Sequence, residues 1–279
     1  MAKTLVALEE DLGFNTNVIN ICKDLFQDIE DNLFVGLLVK DLSYITTLSN
    51  YMGEASLTDQ MPFDLLSDED KQKAEVISIF ENKVRSSGLK YEIYNDFRLT
   101  SRELVKQSTY ADLLILSYQA FINNISKQPD TSLIYQILKG SRCPVMILPT
   151  GVSKIDNIIF TYDGKESSVF AIRAFSNLFS RSCRDKEVSI LTVMPSVDEE
   201  IKNEKLLLNF VRQHFNNVGV QMLEGSNISE EISNFASSVS NTIVVMGAYG
   251  RSHISNLLLP SVAKDILKKS RIPLFIAHR

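Results

Sequence analysis

Two short segments in the second half of the chain combine residue types that suit a small, charged ligand. Gly247 and Gly250 stand three positions apart after the apolar run 242–246, and Ser261 follows at the start of a predicted helix. Glycines let the backbone turn sharply and come close to a ligand. Free amides at a helix start, with a hydroxyl beside them, suit phosphate oxygens. Asp163 and Gly164 follow another apolar run, where the carboxylate can accept a hydrogen bond from an amine or a hydroxyl.

Each of these segments also has a purely structural explanation. A Gly-x-x-Gly spacing is common in turns, and Asp-Gly often marks the exit from a strand. The chain holds only 11 glycines in 279 residues, so each glycine carries more information than usual. Taken alone, the two spacings leave both a ligand site and a plain turn open.

The chain offers little for catalysis or metal binding. Its three cysteines form no CxxC pair, and its three histidines share no metal-ligand spacing. Neither a Walker lysine motif nor Gly-x-Ser-x-Gly occurs. We therefore predict no catalytic residues, no metal site and no disulfide framework. The thiols favour a reducing compartment, the cytoplasm.

A long internal repeat positions the two segments. Three blocks of the first half recur in the second: 138–147 on 267–276, 112–116 on 241–245, and 18–26 on 171–179. The first two blocks share a shift of 129 positions and the third has a shift of 153, so the first copy carries about 24 extra residues. A repeat this long predicts two similar domains, 1–150 and 151–279. The extra residues fall near 40–70, within Lys40–Asp70, as a solvated excursion or as a lid or subunit cover.

Each copy alternates strand and helix patterns. In the second copy, apolar runs predict strands at 157–162, 188–193, 220–223, 242–246 and 273–277. Helical spacing predicts helices at about 167–179, 207–218 and 228–239, with Gly219 ending the second and a capping box at 227–230 opening the third. This order predicts an α/β fold with a five-stranded parallel sheet in each copy, covered on both faces. Ligands of such sheets bind beyond the carboxyl ends of the strands, at the switch point in strand order.

Charge and hydropathy exclude several classes of protein. The net charge of −5 and the pI of about 5.4 argue against nucleic-acid binding. Residues 1–150 hold 14 basic and 21 acidic residues, a net charge of −7, whereas residues 151–279 hold 15 and 13, a net charge of +2. An anionic ligand is therefore repelled less by the second half. No apolar stretch reaches the ~18 residues that a membrane span needs, and the short apolar run at the N-terminus predicts a strand, not a signal peptide.

The second copy resembles the universal stress protein family. The resemblance lies in Val-Val-Met-Gly-Ala-Tyr-Gly-Arg at 244–251, Leu-Leu-Pro-Ser-Val-Ala at 258–263 and Ile-Pro-Leu-Phe-Ile at 272–276. These runs are similar to that family's Gly-x2-Gly-x9-Gly-Ser/Thr nucleotide-binding signature and its closing strand, and Asp163-Gly164 is similar to its Asp-Gly after the first strand. The resemblance implies a tandem of two Rossmann-like α/β sandwich domains. It also implies that they pair through their last strands, 145–148 beside 274–277.

The resemblance further implies an adenine-nucleotide site in the second copy, for ATP or a related nucleotide with or without Mg²⁺. Asp163 is expected to contact adenine, and Val193 to line the base pocket. The remaining site residues are expected to bind ribose and phosphates: Gly247, Gly250, Arg251, Ser261 and Val262. Two positions depart from the family pattern. Pro260 replaces the third glycine, which removes an amide donor and fixes φ, and Tyr162 is bulky beside the base.

The first copy departs further from the pattern. The shift of 129 positions aligns Tyr118 with Gly247 and Phe121 with Gly250 in the sequence. Thr131 falls under Pro260, so that only Ser132, under Ser261, is retained. Glu9 or Glu10 lies near the position of Asp163. Because two aromatic side chains stand where a backbone should meet phosphate, we predict that the first copy binds no nucleotide and serves as a packing partner.

The function implied by the resemblance is that of a cytoplasmic stress-response module that binds an adenine nucleotide. Its partners would include neither nucleic acid nor a membrane. The chain would form an intramolecular pseudo-dimer, alone or as a homodimer of tandems. Two alternatives stay open: a ligand-free scaffold that acts through protein association, and a slow ATP hydrolase.

Overall fold

The computed structural model describes residues 2–9, 15–26, 31–39, 63–99, 101–118, 133–196, 200–247 and 271–277. The strands within these ranges are β1 Lys3–Glu9, β2 Leu33–Val39, β3 Lys90–Leu99, β4 Leu113–Ser117, β5 Val145–Leu148, β6 Asn157–Thr161, β7 Glu187–Met194, β8 Asn217–Glu224, β9 Thr242–Gly247 and β10 Leu274–Ala277. The helices are α1 Asn17–Leu25, α2 Phe63–Ser86, α3 Ser101–Ser108, α4 Leu133–Gly140, α5 Glu166–Cys183, α6 Glu204–His214 and α7 Ile228–Ser238. Each described helix is too short or too polar to cross a membrane.

The strands form one continuous sheet in the order β3-β2-β1-β4-β5-β10-β9-β6-β7-β8. Neighbouring strands are parallel except at the β5–β10 pair, which is antiparallel. One face of the sheet packs against α1, α2, α5 and α6, and the other packs against α3, α4 and α7. The predicted α/β class is therefore confirmed, and the two halves share one strand order.

The two halves meet around a pseudo-twofold axis. At the β5–β10 pair, Met146 lies directly opposite Phe275, and these two residues are equivalent under the shift of 129. On either side the equivalents are exchanged, because Val145 faces Ile276 while Leu274 faces Ile147. Such reciprocal contacts define a twofold, isologous interface. The pairing of the last strands, implied by the resemblance, is thus present within one chain.

Helices α1 and α5 also contact each other at this axis. Phe26 and Phe179, equivalent under the shift of 153, meet edge to face with ring centroids 4.9 Å apart. Phe179 in turn lies 6.0 Å from the ring of Phe275 on β10. The buried core on this face therefore runs from one half into the other without a break.

The structure corrects the sequence prediction for the second helix of the second half. Helix α6 ends at His214, and Phe215 already has extended backbone angles. Val218 and Gly219 belong to β8, where they pair with Val188 and Ser189 of β7. The helical spacing was misleading because a strand partner was available, and tertiary pairing overrides local preference. Gly219 therefore ends no helix.

Other expectations about local structure fare differently. The predicted N-cap is confirmed, because Asn227 Oδ1 accepts a hydrogen bond from the backbone amide of Glu230 at 3.3 Å. The second contact of the pair joins the two side chains, since the Asn227 side-chain amide donates to the Glu230 carboxylate at 3.1 Å. Of the predicted insertion, 63–70 forms the start of α2, and 40–62 lies outside the described residues.

Candidate functional site

The carboxyl ends of β6, β7 and β9 lie side by side at one edge of the sheet. Phe160 on β6 pairs with Val245 on β9. The Thr161 hydroxyl donates to the carbonyl of that same Val245 at 3.1 Å. The helix after β6 covers one face, whereas the helix before β9 covers the other, so β6 and β9 flank the switch point. The structure thus brings three of the predicted site residues, Asp163, Val193 and Gly247, to one edge.

Asp163 holds the turn between β6 and α5. Its Oδ1 accepts hydrogen bonds from the Lys165 amide at 3.1 Å and from the Ser168 hydroxyl at 2.9 Å. The Lys165 ammonium lies 3.4 Å from its Oδ2, and half of the Asp163 side-chain surface remains exposed. Gly164 completes the turn with a φ of +74°. The carboxylate therefore serves the start of α5 and still has a face open to a ligand.

Gly247 allows β9 to approach the first turn of α5. A Cβ on this residue would lie 2.5 Å from the backbone carbonyl carbon and oxygen of Ser167, and 2.7 Å from the amide nitrogen of Ser168. Real Cβ atoms do not tolerate such distances from backbone atoms, so only glycine fits here. The first glycine of the pair is accordingly required by packing, irrespective of any ligand.

Tyr162 is buried in the core and does not stand free at the sheet edge. Its side chain is 4 % exposed and packs on the α5 and α6 face. The hydroxyl donates to the carbonyl of Lys202 at 2.7 Å, a contact that spans 40 residues. Burial, together with the negative charge of Asp163, raises the pKa of Tyr162, so the hydroxyl stays protonated and donates.

Lys202 is a residue that the sequence prediction missed. Its side-chain carbons lie along Gly164, with Cβ 3.2 Å and Cδ 3.4 Å from the position that a Cβ on Gly164 would take. No motif signals this contact, because it depends on how the segment before α6 folds over the end of β6. Gly164 lies within the site, so Lys202 stands at its edge.

The remaining predicted residues have the following places. Val193 is half-buried near the end of β7 and packs against the core on the α7 face. Five positions of the predicted signature lie outside the described residues: Gly250, Arg251, Pro260, Ser261 and Val262. In the first half, Tyr118 directly follows β4 and packs half-buried against the core on the α3 and α4 face. Four other first-half positions lie outside the described residues: Glu10, Phe121, Thr131 and Ser132.

Comparisons with known proteins agree with this fold. Residues 194–278 match the model of the universal stress protein family. A universal stress protein from Archaeoglobus fulgidus is 18 % identical and superimposes with a TM-score of 0.72, over 99 % of this chain and 96 % of that one. A protein of unknown function from Pseudomonas aeruginosa is 13 % identical with a TM-score of 0.59, over 100 % and 92 %. A search of curated protein sequences gave no significant match. The resemblance to the universal stress protein family is confirmed, and the fold is shared along the whole chain.

Proposed function

From this family match we propose that the second half of the chain binds an adenine nucleotide and acts as a regulatory, stress-response module. The observation that carries the proposal is the placement of Asp163 and Gly247 at adjacent strand ends on the switch point of the sheet. This is the place where open parallel sheets bind ligands. The half-exposed carboxylate of Asp163 supplies an acceptor for the base or the ribose.

The sequence that follows β9 supports the same proposal. It contains the rest of the predicted signature, Gly250, Arg251, Ser261 and Val262, and it lies within the residues that match the family model. We assign ribose and phosphate binding to these residues and base binding to Asp163 and Val193. Any Mg²⁺ would arrive with the phosphates, which are its usual ligands in nucleotide sites.

The proposed unit of function is the 151–279 domain, with 1–150 as its packing partner. Tyr118, which occupies the position of Gly247 in the first half, packs against the core, and a bulky side chain there is the reason for proposing a single site. We assign the protein to the cytoplasm because its three cysteines are free and buried, as expected in a reducing compartment.

Calorimetric and thermal-shift titration with ATP tests the proposal. A Kd of about 1 μM would stabilise the protein by roughly 2.7 kcal/mol at 100 μM ligand. The Gly250→Phe variant introduces the aromatic residue found in the first half and is expected to abolish binding. The matched control is Gly219→Phe, since Gly219 is exposed and a Cβ built on it meets nothing within 4 Å.

Each outcome of this titration is informative. The absence of any shift at millimolar ATP in the parent protein would reject nucleotide binding and favour a scaffold role. Binding that survives Gly250→Phe would move the ligand elsewhere in the molecule. Release of phosphate from bound ATP would favour a hydrolase over a regulatory binder.

A further inference from the structure

Strand β8 forms one end of the sheet, and within the described part of the chain its only strand neighbour is β7. The two strands pair without interruption over eight residues, from Asn217 to Glu224. Every residue from 217 to 223 is uncharged, and none is proline. A long edge strand without charge, proline or bulge is open to pairing with a further strand. β8 therefore presents a row of backbone donors and acceptors at the end of the described sheet.

The backbone groups that point away from β7 belong to Val218, Val220 and Met222. The amide of Gly225 donates to the carbonyl of Met194 on β7 at 2.9 Å. Because the backbone direction alternates along a strand, the odd-numbered residues of β8 also turn their backbone groups to β7, and the even-numbered residues turn theirs outward. The side chains of the three outward residues are half-buried and pack against the core on the α6 face. One strand thus combines outward backbone groups with apolar side chains on one face.

The opposite end of the sheet is β3, the equivalent strand of the first half, and its edge is built differently. The register of β3 with β2 shifts near the end of β2. Counted along the paired strands, the exposed Lys90 and Glu92 take the places that Asn217 and Gly219 have in β8. Lys90 also pairs with Asp31 at 3.4 Å. Charged side chains and irregular pairing protect an edge strand, so β3 carries a protection that β8 lacks.

β8 is complementary to itself when two copies meet antiparallel with Val220 at the centre. Val220 then faces Val220 of the second copy, and Val218 faces Met222. These side chains all lie on the α6 face, and the outward backbone groups of facing residues exchange about six hydrogen bonds. A centre at Gln221 would instead place Val218 opposite Glu224, an apolar side chain against a charge. The sequence therefore favours the centre at Val220.

We propose that β8 is a homodimerisation edge, at which two copies of the chain pair antiparallel about Val220 and continue the sheet from one molecule into the next. The chain already joins its own halves in this way, since β5 and β10 pair antiparallel with equivalent residues opposite each other. The second half holds 15 basic and 13 acidic residues, against 14 and 21 in the first, so two copies meet there with less repulsion. Because β3 is protected and a twofold interface uses the same surface on both copies, assembly ends at two chains.

Sedimentation equilibrium of the full chain tests the proposal, which is independent of the nucleotide site. A single strand pair buries less area than the roughly 1,600 Å² of a standard interface, so the dimer is reversible and its population depends on concentration. Between about 1 μM and about 500 μM, the range of weak association, the mean mass is expected to rise from 31.4 kDa towards twice that value. A mass that stays at 31.4 kDa throughout would overturn the proposal.

A charge swap at Val220 tests the partner strand and the register. Val220→Lys places two ammonium groups opposite each other and Val220→Glu two carboxylates, so each variant alone is expected to dimerise about tenfold more weakly than the parent. A mixture of the two variants brings ammonium to carboxylate and is expected to dimerise again. The matched control is Ile93→Lys, the same change at the equivalent half-buried position of β3, which is expected to dimerise like the parent. A mixture that stays monomeric would overturn the centre at Val220.

A second variant guards against a loss of folding. Gly219 and Gln221 are exposed on the other face of β8, and they face each other across the proposed strand pair. The double variant Gly219→Lys with Gln221→Lys therefore sets like charges directly opposite one another without a change in the core. It is expected to keep the circular-dichroism spectrum of the parent and to remain monomeric. A folded double variant that dimerises like the parent would show that another surface joins the copies and would overturn the role of β8.

Discussion

Gly247 has two roles: it allows close packing of β9 on α5, and it belongs to the proposed ligand site. The missing side chain lets the end of β9 touch the backbone at the start of α5. The same close approach brings the end of β9 next to the turn that Asp163 holds through Ser168. Gly247, which the sequence analysis predicted as a ligand contact, is therefore also required for β9 to pack against α5.

The first prediction concerns the packing role of Gly247. Gly247→Ala is expected to lower the free energy of unfolding by about 1–3 kcal/mol, because the new methyl group overlaps the backbone of Ser167 and forces a shift. Gly219→Ala, where a Cβ meets nothing within 4 Å, is expected to be neutral or to gain about 0.5 kcal/mol. Chemical denaturation of both variants measures the difference. Equal stabilities would show that α5 can move away at no cost.

Replacement by valine is expected to change the free energy of unfolding in opposite directions at two buried threonines, Thr161 and Thr192, which lie near the carboxyl ends of β6 and β7. The Thr192 hydroxyl on β7 is buried and has no hydrogen-bond partner among the described residues, whereas that of Thr161 donates to Val245 at 3.1 Å. Thr192→Val is expected to raise the free energy of unfolding by about 1 kcal/mol, and Thr161→Val to lower it by about 1 kcal/mol. Urea denaturation checks both values. A loss at Thr192 would reveal a partner for its hydroxyl.

The three cysteines are expected to be inert in the folded protein. All are free and buried, and burial raises the pKa of Cys143 to about 12 and of Cys183 to about 11, with that of Cys22 raised as well. Iodoacetamide at pH 8.5 is expected to label none of them in the native state and all three in guanidinium chloride, because the thiolate is the nucleophile. Mass spectrometry counts the adducts.

The same burial predicts how stability depends on alkaline pH. The thiols ionise in the unfolded chain near pH 8.5, but not in the folded protein at that pH. Stability due to the neutral thiols is therefore complete below pH 8.5 and falls as the pH rises towards the folded pKa values. A native protein that labels rapidly at pH 8.5 would contradict both expectations.

At the scale of elements, the sequence predicted the strands better than the helix ends. β9 and β10 begin and end within one residue of their predictions, because each is a buried apolar run flanked by polar residues. The predicted end of α6 was wrong. Phe215 and Val218 continue its helical spacing, but Phe215 has extended backbone angles and Val218 pairs with Val188 of β7. Apolar spacing cannot distinguish a helix face from the start of an amphipathic edge strand when both periods fit the same few residues.

The elements also explain which part of the candidate site was predictable. Asp163 and Gly247 were found because their residue types and their positions after strands are local features. Lys202 was not found, because it enters the site through a hydrogen bond between residues 40 positions apart. Contacts of this kind depend on how the segment before α6 crosses the end of β6, and no local pattern encodes that path.

At the scale of the whole molecule, the repeat folds into one sheet with a core on each face, and each core contains residues from both halves. Residues on the axis meet their own equivalents, Met146 with Phe275 and Phe26 with Phe179. One group of polar contacts between the described parts of the two halves does not follow this symmetry. Lys186, Asp24 and the linker residue Ile155 form a junction that has no counterpart among the described contacts on the other side of the axis. The two halves are thus related by symmetry in their core, whereas the junction of Asp24, Ile155 and Lys186 connects them without that symmetry.

The last prediction concerns this junction. The Asp24 carboxylate accepts from the Lys186 ammonium and from the Ile155 amide, each at 2.9 Å, and Lys186 also donates to the Ile155 carbonyl. The two side chains are only 14 % and 21 % exposed. Lys186→Met leaves the carboxylate without its counter-charge and is expected to lower the free energy of unfolding by about 2 kcal/mol, below the loss for a fully buried pair.

The matched control is Lys154→Met, which breaks an ion pair with Asp156 of 2.6 Å on the same linker, with side chains 61 % and 39 % exposed. Exposed pairs contribute little, so this variant is expected to match the parent within error. Denaturation followed by circular dichroism compares the three proteins. Because the core crosses the axis, we expect a single transition in each. Two separate transitions in Lys186→Met would mean that the junction, and not the shared core, makes the halves unfold together.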